Sequence, residues 1–230
     1  MDEDLPIAAQ RWDIEAINYW LAVGEDPGGD PRLGWRPLHL VCKQAHPSEV
    51  TGLACVRALL AAGASPNPPP IVGHRYATPL LAAACRGYTG ILRALIRAGA
   101  DLEAVGRKRR RPLHIAARKG HVDCVAALVA AGADVDAEDS SARTPLCWAR
   151  GRGKRRVYPL LLRAGAQIPR WVVAGNYEPY LARVVAAGGF RAYEKAHRAR
   201  LVATFAPKFS HLPEELVGVV MMFYAHVGFY

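Results

Sequence analysis

The chain has 230 residues, 51% of them hydrophobic, and carries 30 Lys and Arg against 20 Asp and Glu. That is enough apolar material for a sizeable core, built either as one domain or as an array of small units. The five cysteines (Cys42, Cys55, Cys85, Cys124, Cys147) are odd in number and none lies in a C-x-x-C pair, which speaks against a disulfide framework or zinc cluster and for a reducing compartment.

The opening "MDEDLPIAAQ" is acidic where a secretory n-region would be positive, so no export signal is expected. Residues 1–35 hold eight acids and two bases, whereas the remaining 195 hold twenty-eight bases and twelve acids. An acidic head thus precedes a basic body. From residue 35 the chain repeats itself: "WRPLHLVC", "ATPLLAAACRGYTGILRALIRAGADLEA", "RRPLHIAARKGHVDCVAALVAAGADVDA" and "RTPLCWARGRGKRRVYPLLLRAGA". Thr78, Arg111 and Thr144 share one position at intervals of 33 residues, a period that means stacked supersecondary units.

Each unit predicts a pair of helices. Pro79, Pro112 and Pro145 suit the first helical position, where a missing N–H costs nothing. Ala82, Ala83 and Ala84, like Ala116 and Ala117, keep that first helix slim, and Gly87, Gly120 and Gly153 break it. Apolar residues at helical spacing (Ile91, Leu92, Leu95, Ile96; Val122, Val125, Leu128, Val129) form the second helix, closed by Gly99, Gly132 and Gly165.

This pattern closely resembles the ankyrin repeat over residues 34–166. The resemblance implies an all-α solenoid of roughly five units, each pairing two antiparallel helices and projecting a β-hairpin finger toward the next, with a helical C-terminal cap. It also implies that His39 and His114, in the "PLH" segments, are structural, hydrogen-bonding within the hairpin. "IAAQRWDIEAINYWLAVGEDP" resembles a worn first repeat in which Trp12 replaces the turn glycine. The interval from Arg36 to Thr78 is 42 residues, and its extra nine fall in "KQAHPSEVTG" and the proline-rich "SPNPPPIVGH". The expected organisation is a degenerate N-terminal capping repeat (1–34), the repeats (35–166), a degenerate repeat with helical cap (167–208) and a C-terminal segment (209–230).

Two basic runs stand out. Arg107, Lys108, Arg109 and Arg110 fall in a finger, with Arg111 at the following helix entry, and the next finger, "DVDAEDSS", carries Asp134, Asp136, Glu138 and Asp139. Five bases facing four acids predict a self-neutralising finger, ahead of a recognition patch or a nuclear import signal. Arg152, Lys154, Arg155 and Arg156 sit at the turn of the fourth clear repeat, with no acid from 140 to 177. The helix expected to follow makes this a candidate anion site, set against the plainer reading of a solvated turn. Pro159 removes an N–H early in that helix and weakens it.

A single run touching about five phosphates would lose roughly 500-fold in affinity between 50 and 200 mM salt. The basic residues are not interleaved with aromatics that could stack on bases, so nucleic-acid binding is not favoured. No phosphate loop, metal-ligand spacing or nucleophile motif appears, so no cofactor, no metal and no catalysis are expected.

After residue 166 the period fades. "NYEPYLARVVAAGGF" resembles half of a degenerate repeat, and "RAYEKAHRARLVATFAPKF" predicts a basic amphipathic helix with Tyr193, Ala196, Leu201, Val202 and Phe205 available for packing. A solenoid needs such caps. The closing "FSHLPEELVGVVMMFYAHVGFY" resembles the start of an F-box through Leu212, Pro213, Glu214 and Leu216, continued by Val219, Val220 and Phe223. That family's implication is recruitment of a Skp-type adaptor of a cullin ubiquitin ligase; the later F-box helices are absent, and a plain packing helix is the alternative. The apolar run 216–230 is shorter than the roughly 20 residues a spanning helix needs, so no membrane anchor is expected.

The expected function is a non-catalytic, monomeric protein-interaction module, cytoplasmic with nuclear entry as the alternative. Its partner would lie on the face built from fingers and first helices and carry acidic segments. A substrate-binding adaptor is the leading specific form, and an electrostatic binder of nucleic acid or phosphorylated ligands is the other.

Overall fold

The computed structural model describes residues 4–29, 36–44, 49–70, 76–169 and 179–205. The chain divides into two compact units, Met1–Val157 and Tyr158–Tyr230. The first contains α1 (Leu5–Arg11), α2 (Ile14–Val23), α3 (Pro37–Lys43), α4 (Glu49–Ala61), α5 (Pro79–Arg86), α6 (Thr89–Arg97), α7 (Pro112–Lys119), α8 (Val122–Ala130) and α9 (Pro145–Gly151). The second contains α10 (Tyr158–Arg163), α11 (Pro179–Ala186) and α12 (Phe190–Phe205). There is no strand among the described residues. The break at Val157 falls inside the repeat that the sequence carries to residue 166.

The helices start as the sequence dictates. Pro37, Pro79, Pro112 and Pro145 each occupy the first helical position, and the hydroxyls of Thr78 and Thr144 accept from the backbone N–H of Leu81 and Cys147. First helices form one packed row, α1 on α3, α3 on α5, α5 on α7 and α7 on α9, while α2, α4, α6 and α8 form a second. Ala82, Ala83, Ala84, Ala116 and Ala117 are all buried in the first row, where a side chain of one methyl lets neighbouring helices approach closely. Larger anchors such as Leu81, Leu95, Leu113 and Leu128 are fully buried, each stabilising by about 1.5–3 kcal/mol. The second helices end alike: Ala64, Ala100 and Ala133 donate N–H to the carbonyls of Leu59, Leu95 and Leu128 at 2.9–3.0 Å.

Among the described residues, the fingers at 106–110 and 139–143 are turns closed by single cross-bonds rather than the β-hairpins expected. Gly106 donates to Arg110 O at 2.9 Å and Asp139 to Arg143 O at 3.0 Å, too few cross-bonds to make a ladder. The two PLH histidines act between repeats, and His114 also within its own. His39 Nε2 lies 3.0 Å from Ala77 O and His114 Nε2 lies 3.0 Å from Arg143 O, each carbonyl belonging to the following repeat. His114 Nδ1 also accepts from Arg111 N–H at 3.3 Å, which assigns the donating hydrogen to Nε2 in the neutral ring. Burial lowers the pKa of both histidines against the opposing effect of these backbone bonds.

Part of the acidic head is used by local structure. Asp4 and Asp13 cap α1 and α2 by accepting from Ile7 and Ala16 N–H, and Glu25 accepts from Leu5 N–H. Trp12 does replace the turn glycine, with φ at 59°, and its indole donates to Val41 O at 2.9 Å. Its ring occupies the space beside Gly52 of α4, where a Cβ would meet ring carbons at 2.6 Å. The glycine is therefore there for the tryptophan.

In the second unit, Tyr158, Tyr180 and Tyr193 form a chain of ring contacts at 6.0 and 5.5 Å, and His197 stacks on Tyr193. Arg163 pairs with Glu194 between α10 and α12. Ala196, expected to pack, is exposed on α12.

Replacing Gly52 by Ala in a helix would ordinarily gain about 0.5–1 kcal/mol. Here it costs about 1–3 kcal/mol through overpacking, measured by urea unfolding, and the cost disappears in a Trp12→Ala background. The buried histidines set a pH limit. The unfolded chain protonates near the ordinary value of 6.5 while the folded chain resists, so stability is fully present above pH 6.5 and declines as the pH falls toward the lowered folded values. Unfolding midpoints measured from pH 7.5 to 5 show that decline, and in a His39→Gln/His114→Gln variant the slope in this window flattens.

Candidate functional site

The third finger is built from the loop after α6. Asp101 N–H is received by Asn67 Oδ1 of the preceding finger at 2.8 Å, and Glu103 in turn receives Asp134 N–H of the next at 2.9 Å. Arg107–Arg109 form a single 3₁₀ turn in which Lys108 and Arg109 take left-handed conformations, φ 62° and 53°. Such residues cost of order 1–3 kcal/mol each and persist when their surroundings over-determine them. The Gly106–Arg110 bond closes the loop, and Ser140 N–H donates to Lys108 O at 3.0 Å from the neighbouring finger.

The five-base run separates into two groups. Arg111 pairs with Glu103 at 2.5 Å and Asp134 at 3.1 Å, and Arg110 Nε lies 3.7 Å from Asp139. Arg107, Lys108 and Arg109 are exposed, with no acidic partner among the described residues. Neutralisation therefore reaches the two bases nearest the helix and stops short of the tip. A cavity of about 190 Å³ opens here, lined by Arg107, Lys108, Arg110 and Ile115.

Behind the tip lies a cluster centred on Trp148 of α9. The Arg110 and Arg143 guanidinium carbons lie 4.3 and 4.1 Å from its ring centroid, and that of Arg118 lies 5.8 Å away. Asp139, with a fully buried side chain, accepts from the Trp148 indole at 3.0 Å and from Ser141 and Arg143 N–H at 2.8 and 3.1 Å. Burial alone would raise its pKa, but those N–H donors and the Arg143 cation bring it below the ordinary carboxylate value. Burial, with help from Arg118 and Arg143 and against Asp139, lowers that of Arg110. Two guanidiniums, Arg110 and Arg143, thus share one carboxylate, with Arg118 near the same ring.

The sequence does not single out Trp148, Arg118, Arg143 or Ile115. The available signal is that Trp148 stands where the two preceding repeats have Ile115 and Ala82, an aromatic at a position otherwise filled by smaller residues.

The second basic run is arranged differently from expectation. Arg152, Lys154, Arg155 and Arg156 are all exposed in the first unit, but Arg155–Val157 form a 3₁₀ turn and the α-helix that continues from it, α10, begins only at Tyr158. A helix started at Arg155 would need an N–H from Pro159, which has none. The cations therefore precede α10 across a 3₁₀ turn instead of standing in its first α-helical turn. Lys154 has a structural task instead, its Cδ lying 2.7 Å from where a Cβ on Gly120 would be. One repeat earlier His121 covers Gly87 in the same way and bonds Cys85 O at 3.1 Å.

All five cysteines are free and buried. Burial pushes the thiols of Cys42 and Cys124 up, and that of Cys55 to about 11, so these remain protonated and unreactive at neutral pH. Among the described residues no group of three His, Cys, Asp or Glu could hold a metal ion, and no helix is long and apolar enough to cross a membrane. Leu212, Pro213, Glu214, Leu216, Val220 and Phe223 lie outside the described residues.

Stacked helix pairs presenting a row of interlocked fingers define an α-helical repeat scaffold, the kind of surface used for contact with other macromolecules. Three copies of the ankyrin-repeat pattern match, over residues 5–105, 49–139 and 80–170, and the chain belongs to the ankyrin-repeat family. Its members are generally protein–protein interaction modules and typically non-catalytic. None of the curated proteins matches the chain.

Removing the Asp139 carboxylate strands two guanidiniums. Asp139→Ala is expected to cost about 3–5 kcal/mol in chemical denaturation, the range for breaking one side of a buried ion pair. Asp139→Asn recovers part of this, since an amide oxygen still accepts from Ser141 and Arg143, and Glu138→Ala at the exposed neighbouring position changes stability by less than about 0.5 kcal/mol.

Proposed function

We propose that this chain is a non-catalytic protein-binding module that receives an acidic segment of a partner protein along its finger tips and first helices. The observation that carries the reading is the exposed tip at Arg107, Lys108 and Arg109, held in a fixed conformation and left without acids beside an open cavity. Neighbouring fingers are tied by Asn67, by Glu103 and by the Ser140–Lys108 bond, so recognition needs little reordering of the surface. The turn at 152–156 carries exposed charge as well, but Lys154 lies over Gly120 and the proposal does not depend on it.

A substrate adaptor is the finer form of the reading, with the repeats choosing a client and the tail choosing the machinery. It is supported by the residues Leu212, Pro213, Glu214 and Leu216, whose order matches the opening of an F-box, with Val220 and Phe223 continuing its apolar spacing.

Two affinity captures from lysate, read by mass spectrometry, test both levels: one with the whole chain and one truncated after Lys208. The module reading expects shared partners rich in acidic segments in both, lost when Arg107, Lys108 and Arg109 are replaced by Gln. The adaptor form expects a Skp-type protein and a cullin with the whole chain only. Identical partners without ligase components would leave the module reading and remove the adaptor.

A further inference from the structure

We propose that the cavity lined by Arg107, Lys108, Arg110 and Ile115 is a pocket for a phosphorylated side chain on the partner's acidic segment. This rests on the protein-binding reading above and specifies the group that anchors it. At about 190 Å³ the cavity lies below the usual range of small-molecule sites and suits one side-chain head group. Three of its four lining residues are cationic, and the fourth, Ile115, is buried and supplies an apolar wall.

The positive charge is only partly compensated, and the loop that carries it is held in place. Arg107 and Lys108 have no acidic partner among the described residues. Arg110 lies over Trp148, and the one carboxylate near it, Asp139, stands 3.7 Å from both Arg110 Nε and Arg143 Nε. That shared acid holds the arginine in place without cancelling the group, to which Arg118 adds a further charge near the ring. The loop is locked through Lys108 O and through the Gly106–Arg110 bond.

A phosphoryl group brings close to two negative charges and three strong acceptor oxygens. It can satisfy Arg107, Lys108 and Arg110 together, with an arginine able to bind two oxygens side by side. A carboxylate offers one charge and two oxygens, leaving part of this surplus unanswered. The arrangement favours a protein ligand over a nucleic acid. Trp148 is only 9% exposed beneath its arginines and offers no face for a base, and Arg111, which could have extended the track along a phosphate backbone, is paired with Glu103 and Asp134.

The test uses the full chain and three immobilised libraries of short peptides with the same degenerate acidic flanks, differing only in a central phosphoserine, glutamate or serine. Binding is measured at physiological salt, alongside a labelled single-stranded RNA. The phosphoserine library is expected to bind about tenfold tighter than the glutamate library, as charge-assisted contacts to a dianion require. An Arg107→Gln/Lys108→Gln variant, altered at exposed positions and shown to keep its unfolding midpoint, is expected to lose that preference. Equal binding of the phosphoserine and glutamate libraries, both above serine, overturns the phosphate pocket and leaves the acidic-partner reading standing. So does a preference that survives in the variant. Binding of RNA alone, or of none of the probes, overturns both.

Discussion

The contact between neighbouring first helices is what the rest of the structure depends on. A single helix pair of this size has no interior of its own, and its apolar face is covered only when another pair stacks on it. The covering is done at close range, through Ala83, Ala84, Ala116 and Ala117, all essentially inaccessible to solvent. Because one methyl group separates the helices, carbonyls of one repeat fall within hydrogen-bond reach of side chains from its neighbour. His39 and His114 use that proximity, and so do Arg86, whose Nε donates to Lys43 O at 2.8 Å, and Tyr88, whose hydroxyl donates to Gln44 O at 3.0 Å. The polar ties are therefore consequences of the alanine contact.

The same geometry decides the fate of the charges. Adjacent fingers stand close enough for the acids of one to reach bases of the other, but only near their roots. There Asp134 and Asp139 meet Arg111 and Arg110, and the indole of Trp148 completes the coordination of Asp139. At the tip, the turn through Lys108 and Arg109 carries the side chains away from these acids. The finger thus combines a neutralised, packed base with a charged end, and the packed base is what keeps the charged end in one conformation. Its inner arginines serve the fold and the surface at once.

Departures from the repeat pattern are explained by local compensation. At the N-terminus Trp12 takes the left-handed turn conformation in place of glycine, and the chain offsets its bulk by placing Gly52 against the ring and Tyr88 at its edge, 5.5 Å between centroids. Two of the acids in the head, Asp4 and Asp13, are helix caps, so part of the contrast between acidic head and basic body reflects helix starts. In the fourth clear repeat, Pro159 delays the second helix, and the boundary between the two compact units falls at the same place.

The sequence by itself determined the helix pairs, their order and their family. The signals are local and repeated: proline at each helix entry, alanine on the first helix, glycine at each turn, all at a spacing of 33 residues. Even Trp12 as a substitute for a turn glycine was legible, because the neighbouring apolar pattern fixed its position. What the tertiary structure decided is which charges are free. Counting five bases against four acids suggests cancellation, yet an ion pair depends on distances set by how one finger stacks on the next. No sequence spacing states that Asp139 is buried between two arginines and a tryptophan while Lys108, two residues before Arg110, is exposed with its carbonyl bound to Ser140. The helices follow from neighbours along the chain; the site follows from neighbours across the stack, roughly one repeat away in sequence.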